Sequence, residues 1–246
     1  MNKDNCMLLN CCDYKSTLLS LKNILGLSDI EVLQLASENL HSMEVNENLN
    51  SIVENKTILV HFFHFTKSLD PESFNEGLFP LHMIKTKLIQ ELQELAKTDV
   101  KYNESEWSKI FVDKLSGFKF ELTSFIRMDF DDGPNAFLIR EFGLNKYDGH
   151  EYYFDNSEFI TDLLSYIKGK LGLNLIAIYN ERSKRCIIEF VVRISKKELL
   201  MSYIKQALEY INAQRMNTNI SRCNAAYWNK GIPISKYDIV SIEIFN

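Results

Sequence analysis

The chain has few of the residues that interrupt regular structure and no pattern that would cross-link it. Its 246 residues include only 4 prolines and 9 glycines, and they form no stretch that resembles a flexible linker. The 5 cysteines are an odd number without a Cys-x-x-Cys pair, which argues against a disulfide scaffold and a conventional zinc site. We therefore expect reduced thiols, as in a cytoplasmic protein.

Long apolar runs and an excess of positive charge are also missing. No run approaches the roughly 18 apolar residues of a membrane-spanning helix, and the N-terminus lacks the apolar centre of a signal peptide. The net charge is -5, so no overall field attracts the chain to phosphate backbones or to anionic membranes. The sequence therefore predicts a cytoplasmic localisation, no membrane association and no nucleic acid as a structural partner.

What the chain does contain is typical of a globular protein, with 46% hydrophobic and 25% charged residues. The nearest approach to a domain boundary is an Asn- and Glu-rich stretch at 44–56. Two helical patterns precede it, separated by Gly26 and by Ser28, which is a good helix cap with Glu31 three residues later. We predict an N-terminal helical hairpin within residues 1–55 and a second, larger domain at 56–246.

The larger domain alternates between strand and helix patterns. Strand patterns occur at 57–66, 118–130, 136–142, 173–179, 186–194 and 238–245. Helix patterns occur at 82–97, at 104–115, from 157 onward and at 196–214. The two strands at 173–179 and 186–194 are predicted to form a hairpin around a polar turn. This order predicts an α+β fold with a mixed, mainly antiparallel (split) sheet and packed helices.

The strand at 57–66 ends with two polar side chains that point to the same side. His64 and Thr66 are two residues apart, so an imidazole and a hydroxyl could bind one sugar or carboxamide. The alternative is a histidine satisfied by a backbone carbonyl and a threonine that only favours the strand. A short helix follows, with Asp70 and Pro71 at its start and Gly77 at its end. His61 faces the other way and is expected to be structural.

A second candidate is Glu189, which lies between Ile187 and Val191 on one face of the strand at 186–194. A carboxylate on a half-buried strand is costly unless it is paired or used. The alternatives are a solvated face and a cross-strand ion pair.

Tyr152 and Tyr153 could stack on a ligand, or they could form a strand edge before a helix cap. No histidine cluster or calcium loop is present, so no metal is expected.

Two segments resemble the ADP-ribosyltransferase-like toxins of bacterial stress and phage-defence systems. The first is Phe63-His64-Phe65-Thr66 with the later Glu76-Gly77-Leu78, which resembles the family's "His-x-Thr" strand, short helix and Gly-Leu pair. The second is Gly231-Ile-Pro-Ile-Ser-Lys-Tyr-Asp-Ile-Val-Ser-Ile-Glu-Ile244, which resembles its C-terminal "Ile-Pro" segment. Together they cover about a sixth of the chain, and the middle matches only loosely.

The resemblance implies a split antiparallel sheet that binds NAD as a substrate in a cleft. By this resemblance His64 would bind the ribose with Thr66 beside it, and Tyr152 or Tyr153 would stack on nicotinamide. A glutamate would orient the acceptor, and Glu189 with His64 would be catalytic. Such a protein would be a toxic effector, with an antitoxin or another protein as its partner.

One departure from the family leaves a second hypothesis open. A glutamate commonly precedes the segment that matches 224–233, but this chain has Asn224-Ala225-Ala226-Tyr227 there. Either another carboxylate such as Glu189 replaces it, or the fold has lost transfer activity. In the second case the protein would be a non-catalytic interaction or sensor module of a defence system.

Overall fold

The structure is a computed structural model, which describes residues 7–115, 133–144, 158–220, 226–228 and 231–245. The strand predicted at 118–130, together with Tyr152, Tyr153 and Asn224, lies outside the described residues.

A central sheet organises the described chain. Its strands are β1 (Met7–Leu9), β2 (Ile58–Ser68), β4 (Asn135–Phe137), β5 (Lys184–Ile194), β6 (Ala226–Trp228) and β8 (Ile239–Phe245). They lie in the order β6-β4-β2-β5-β8, and β1 pairs with the first part of β2. The β1–β2 pairing is parallel and the other pairings are antiparallel. Two short strands, β3 (Gly77–Leu78) and β7 (Ile234–Ser235), pair separately.

Helices account for most of the remaining described residues. They are α1 (Tyr14–Leu25), α2 (Asp29–Ala36), α3 (Met43–Val53), α4 (Leu81–Ala96), α5 (Glu104–Leu115), α6 (Arg140–Leu144), α7 (Glu158–Leu171), α8 (Ile176–Arg182) and α9 (Lys197–Met216). Two 3-10 helices span Pro71–Glu76 and Lys236–Asp238. Among the described helices, none is long and apolar enough to cross a membrane. The predicted α+β class with a mixed, mainly antiparallel sheet is confirmed.

The N-terminal helices begin and end where their capping residues predict. Ser28 and Glu31 form a complete capping box at the start of α2, and Gly26 ends α1 with a φ of 71°. The Asn- and Glu-rich stretch at 44–56 is mostly helical, so the N-terminal part has three helices where the sequence predicted two. Because β1 joins the central sheet, residues on both sides of position 55 build the same sheet.

Alternation along β2 gives the sheet two different faces. One face carries Ile58, Val60 and Phe62, which belong to the main core. The first half of this face packs with side chains of α1, α2, α3 and α9. The opposite face carries His61, Phe63 and Phe65, and the described residues form a small apolar cluster there. A second core forms among α4, α5, α7 and α8 beyond the end of β2.

One predicted strand is wrong and another is shorter than predicted. Residues 173–179 run into α8 and not into a strand, so β5 has no hairpin partner there. The buried side chains of Leu175 and Tyr179 are four residues apart, and the Tyr179 N–H donates to the Leu175 carbonyl over 2.8 Å, as in a helix. Residues 136–142 form only a three-residue strand before α6 begins at Arg140. Both segments are too short for an apolar pattern to separate helix from strand.

Gly77 is required by the close approach of β3 and β7. Its φ is 124°, and a Cβ atom there would lie 2.5 Å from the Ile234 carbonyl oxygen. We expect Gly77→Ala to lower the free energy of unfolding by about 1–3 kcal/mol in urea denaturation. The control is Gly169→Ala in α7, where a Cβ meets nothing within 4 Å and where stability should rise slightly. Equal effects of the two substitutions would contradict this account.

Candidate functional site

A cleft of about 820 Å³ lies where β2 leaves the main core. It is bounded by the second half of β2, the 3-10 helix at 71–76, α4, residues 133–135 and the start of α7. One part of its lining is apolar and consists of Phe74, Leu78, Phe79, Leu81, Met83, Ile84, Leu88, Phe159 and Ile160. The polar part includes His64, Thr66, Ser68, Asp70, Ser73, Lys87 and Glu91. A concave surface with apolar walls and polar side chains along one part can bind a small molecule.

His64 and Thr66 both line this cleft, as their spacing on one strand predicted. Each is half-buried, and they point away from the face that carries His61 and Phe63. The Nδ1–H of His64 donates to the carbonyl oxygen of Asn135 over 2.6 Å. Because a carbonyl can only accept, the neutral ring has its proton on Nδ1 and its lone pair on Nε2. The backbone of β4 therefore sets the tautomer of the ring.

Glu189 is not brought together with His64. It lies directly opposite Phe63 in the β2–β5 ladder, whereas His64 lies opposite Ile188. Because side chains alternate along each strand, Glu189 and His64 are on opposite faces of the sheet. The structure therefore separates the two residues that the resemblance combined in one catalytic site.

On its own face Glu189 is the centre of a small polar network. Its Oε1 lies 2.5 Å from Nδ1 of His61, and its Oε2 accepts from the Ser241 hydroxyl over 2.9 Å. The hydrogen bond from His61 lowers the pKa of the Glu189 carboxyl, against the opposing effect of burial. His61 is 7% exposed, so this is a largely buried cross-strand pair. It agrees with the structural alternative considered for Glu189.

The carboxylates that do face the cleft were not identified from the sequence. Asp70, Glu72, Glu76 and Glu91 contribute to its lining. Lys87 of α4 lies 2.8 Å from the Asp70 carboxylate and 3.7 Å from Glu91. The only available signal was the four-residue spacing of Lys87 and Glu91 on one helix, which is common on solvated helices and is not specific.

Three phenyl rings of the described residues line the cleft: Phe74, Phe79 and Phe159. Tyr152 and Tyr153 lie outside the described residues. Tyr227 is buried and stacks on Phe62 with ring centroids 4.6 Å apart. Phe74, Phe79 and Phe159 are therefore the rings of the described residues on which a flat ligand could pack.

Within the described part of the chain, no group of three or more His, Cys, Asp or Glu side chains could hold a metal ion. Comparison of the chain with protein-family models, with curated proteins and with solved structures found no match.

Proposed function

We propose that the protein binds NAD in the cleft and is an ADP-ribosyltransferase-like enzyme. The observation that carries this proposal is that His64 and Thr66 line one cleft, next to the 3-10 helix that follows their strand. In the proposed complex the His64 imidazole and the Thr66 hydroxyl bind neighbouring oxygens of one ribose. The hydrogen bond to the Asn135 carbonyl supports this role, since it fixes the orientation of the His64 ring.

The size and lining of the cleft support a ligand of this kind. Its volume of about 820 Å³ lies within the range of roughly 300–1,000 Å³ that is common for small-molecule sites. The phenyl rings of Phe74 and Phe159 offer apolar surface for a base or for the nicotinamide ring.

The acidic side chains of the cleft support the chemistry. Nicotinamide leaves the ribose through a transition state that resembles an oxocarbenium ion, and a nearby carboxylate stabilises the positive charge that develops. Four carboxylates and two lysines, Lys67 and Lys87, line the cleft, so acidic groups predominate. This arrangement favours the cationic end of NAD over its pyrophosphate.

The experiment that tests the proposal measures NAD binding by calorimetry. We expect His64→Ala to weaken binding about tenfold or more, because a buried ribose hydroxyl would lose its acceptor. Thr66→Val should weaken binding by a smaller factor. His82→Ala is the matched control, since His82 is an exposed histidine on α4 outside the cleft lining. Wild-type protein that does not bind NAD, or equal affinities for wild type and His64→Ala, would refute the proposal.

The toxic-effector part of the proposal is tested in cells. Induced expression should arrest the growth of bacteria, and His64→Ala should relieve the arrest at equal protein levels. An adjacent gene whose product restores growth would be the expected antitoxin.

A second candidate function is a non-catalytic binding module. It is favoured by the position of Glu189, which lies on the opposite face of the sheet from His64. This function predicts a stoichiometric complex with a protein partner that His64→Ala does not affect, and no release of nicotinamide from NAD.

A further inference from the structure

Among the carboxylates of the cleft, Glu91 is the one that is substantially withdrawn from solvent. Its side chain is 20% exposed, compared with 45% for Asp70 and 71% for Glu76. Glu72 is also exposed. An exposed carboxylate is surrounded by water and by mobile ions, so it contributes little to a reaction in the cleft.

Glu91 also has charged neighbours from two elements. Lys87 lies one turn earlier on α4, and Asp70, at the start of the 3-10 helix, binds the same ammonium group. Glu91 lines the same cleft as His64 and Thr66, which form the proposed ribose site.

We propose that Glu91 is the general base of the reaction in this cleft, a role that the resemblance had given to Glu189. This inference rests on the proposed function. The bond between the ribose C1′ and the nicotinamide nitrogen breaks, and its electron pair leaves with nicotinamide. A water or an acceptor hydroxyl attacks C1′ through oxygen, and the proton of that oxygen passes to the Glu91 carboxylate. The products are nicotinamide and ADP-ribose, free or attached to the acceptor.

The charges around Glu91 support this role. Burial and the negative charge of Asp70 raise the pKa of the Glu91 carboxyl, while Lys87 lowers it. A base whose pKa lies closer to the working pH accepts a proton more readily in the transition state. Lys87, 3.7 Å from the carboxylate, opposes the rise that burial causes.

The first test compares NAD affinity and nicotinamide release for Glu91→Gln and wild type. We expect release to fall about 10²–10⁴-fold, the usual contribution of a general base, with NAD affinity changed less than threefold. Glu94→Gln is the control, because Glu94 lies on the same helix, is paired with Lys97 and does not line the cleft. Its release rate should equal that of wild type.

The second test measures how the rate of nicotinamide release depends on pH and follows the acidic limb of that profile. The position of this limb would not change with the neighbouring charges if the role of Glu91 were merely structural. Lys87→Met should shift this limb to higher pH, because it removes the positive charge that lowers the pKa of Glu91. Asp70→Asn should shift it to lower pH, and the Asp70 side chain makes no capping hydrogen bond that this change would break. Thermal unfolding should be similar for both variants.

The possible outcomes separate this inference from the proposed function. If wild type does not bind NAD, the proposed function fails and this inference fails with it. If wild type releases nicotinamide and Glu91→Gln does so at the same rate, only the role of Glu91 is refuted. The role is also refuted if wild type binds NAD without releasing nicotinamide, or if the two charge variants move the limb in the same direction.

Discussion

Phe62→Ala is expected to lower the free energy of unfolding by about 3–5 kcal/mol, which is a large part of the stability of an ordinary domain. Phe62 lies on the central strand β2 and is 0% exposed. Its ring stacks on Tyr227 at 4.6 Å and contacts Tyr203 edge-on at 5.2 Å. Truncation would leave a cavity beneath both rings, since a strand that is paired on both sides cannot move to fill it.

Urea denaturation followed by circular dichroism measures this loss. The control is Tyr237→Ala, which removes an aromatic ring that is 87% exposed and should change stability by less than about 0.5 kcal/mol. A loss below about 1 kcal/mol for Phe62→Ala would show that this part of the core can repack, contrary to our account.

Glu189→Gln is expected to destabilise the protein by about 1.5–3 kcal/mol at neutral pH, because it removes the charge from two hydrogen bonds in a largely buried network. The carboxylate accepts from Ser241 over 2.9 Å and is paired with His61 over 2.5 Å. If Glu189 has no role in the cleft, the same variant should bind NAD with the affinity of wild type. A selective loss of NAD binding in a stable Glu189→Gln protein would contradict the separation of the two faces.

The contribution of the Glu189 carboxylate to stability changes with pH in a definite direction. The pKa of the Glu189 carboxyl is lower in the folded protein than its ordinary value of about 4.3. Its contribution to stability is therefore complete above that ordinary value and is lost as the pH falls through the lower, folded pKa. The acid-induced loss of stability should be shallower in Glu189→Gln than in wild type.

Glu209→Gln is a control for this prediction, because the pKa of the Glu209 carboxyl is shifted in the opposite direction. Burial raises the pKa of the Glu209 carboxyl, so its ionised form is slightly unfavourable in the folded protein. This substitution should be neutral or stabilising near pH 7. Identical pH profiles for the two glutamine variants would refute both assignments.

The long, strongly patterned elements could be predicted from the sequence. Strand β2 was expected at 57–66 and extends over Ile58–Ser68, and the amphipathic helix expected at 82–97 is α4, Leu81–Ala96. The short elements could not be predicted in the same way. The segment at 173–179 alternates for only a few residues, and its helical conformation depends on burying Tyr179 in the second core.

In the candidate site, too, relations within one strand could be predicted from the sequence, whereas relations between distant segments could not. The shared direction of His64 and Thr66 follows from the period of a strand, so the sequence was sufficient for it. The face on which Glu189 lies relative to His64 depends on the register between β2 and β5, which are far apart in the sequence. The position of Glu91 depends on how α4 packs beside the end of β2. Neither of these relations leaves a local signal in the chain.

The ladder between β2 and β5 also determines when the protein can fold during synthesis. Ile58 pairs with Ile194 and Ser68 with Lys184, so the apolar strand β2 leaves the ribosome long before its main partner exists. Among the described strands, the short strands β1 and β4 are the partners that β2 can pair with in the meantime. Pairing between strands that are so far apart in the sequence makes folding slow. It also leaves the apolar side chains of β2 exposed to other nascent chains until β5 has been made. Covering β2 until β5 has been made should therefore increase the yield of folded protein.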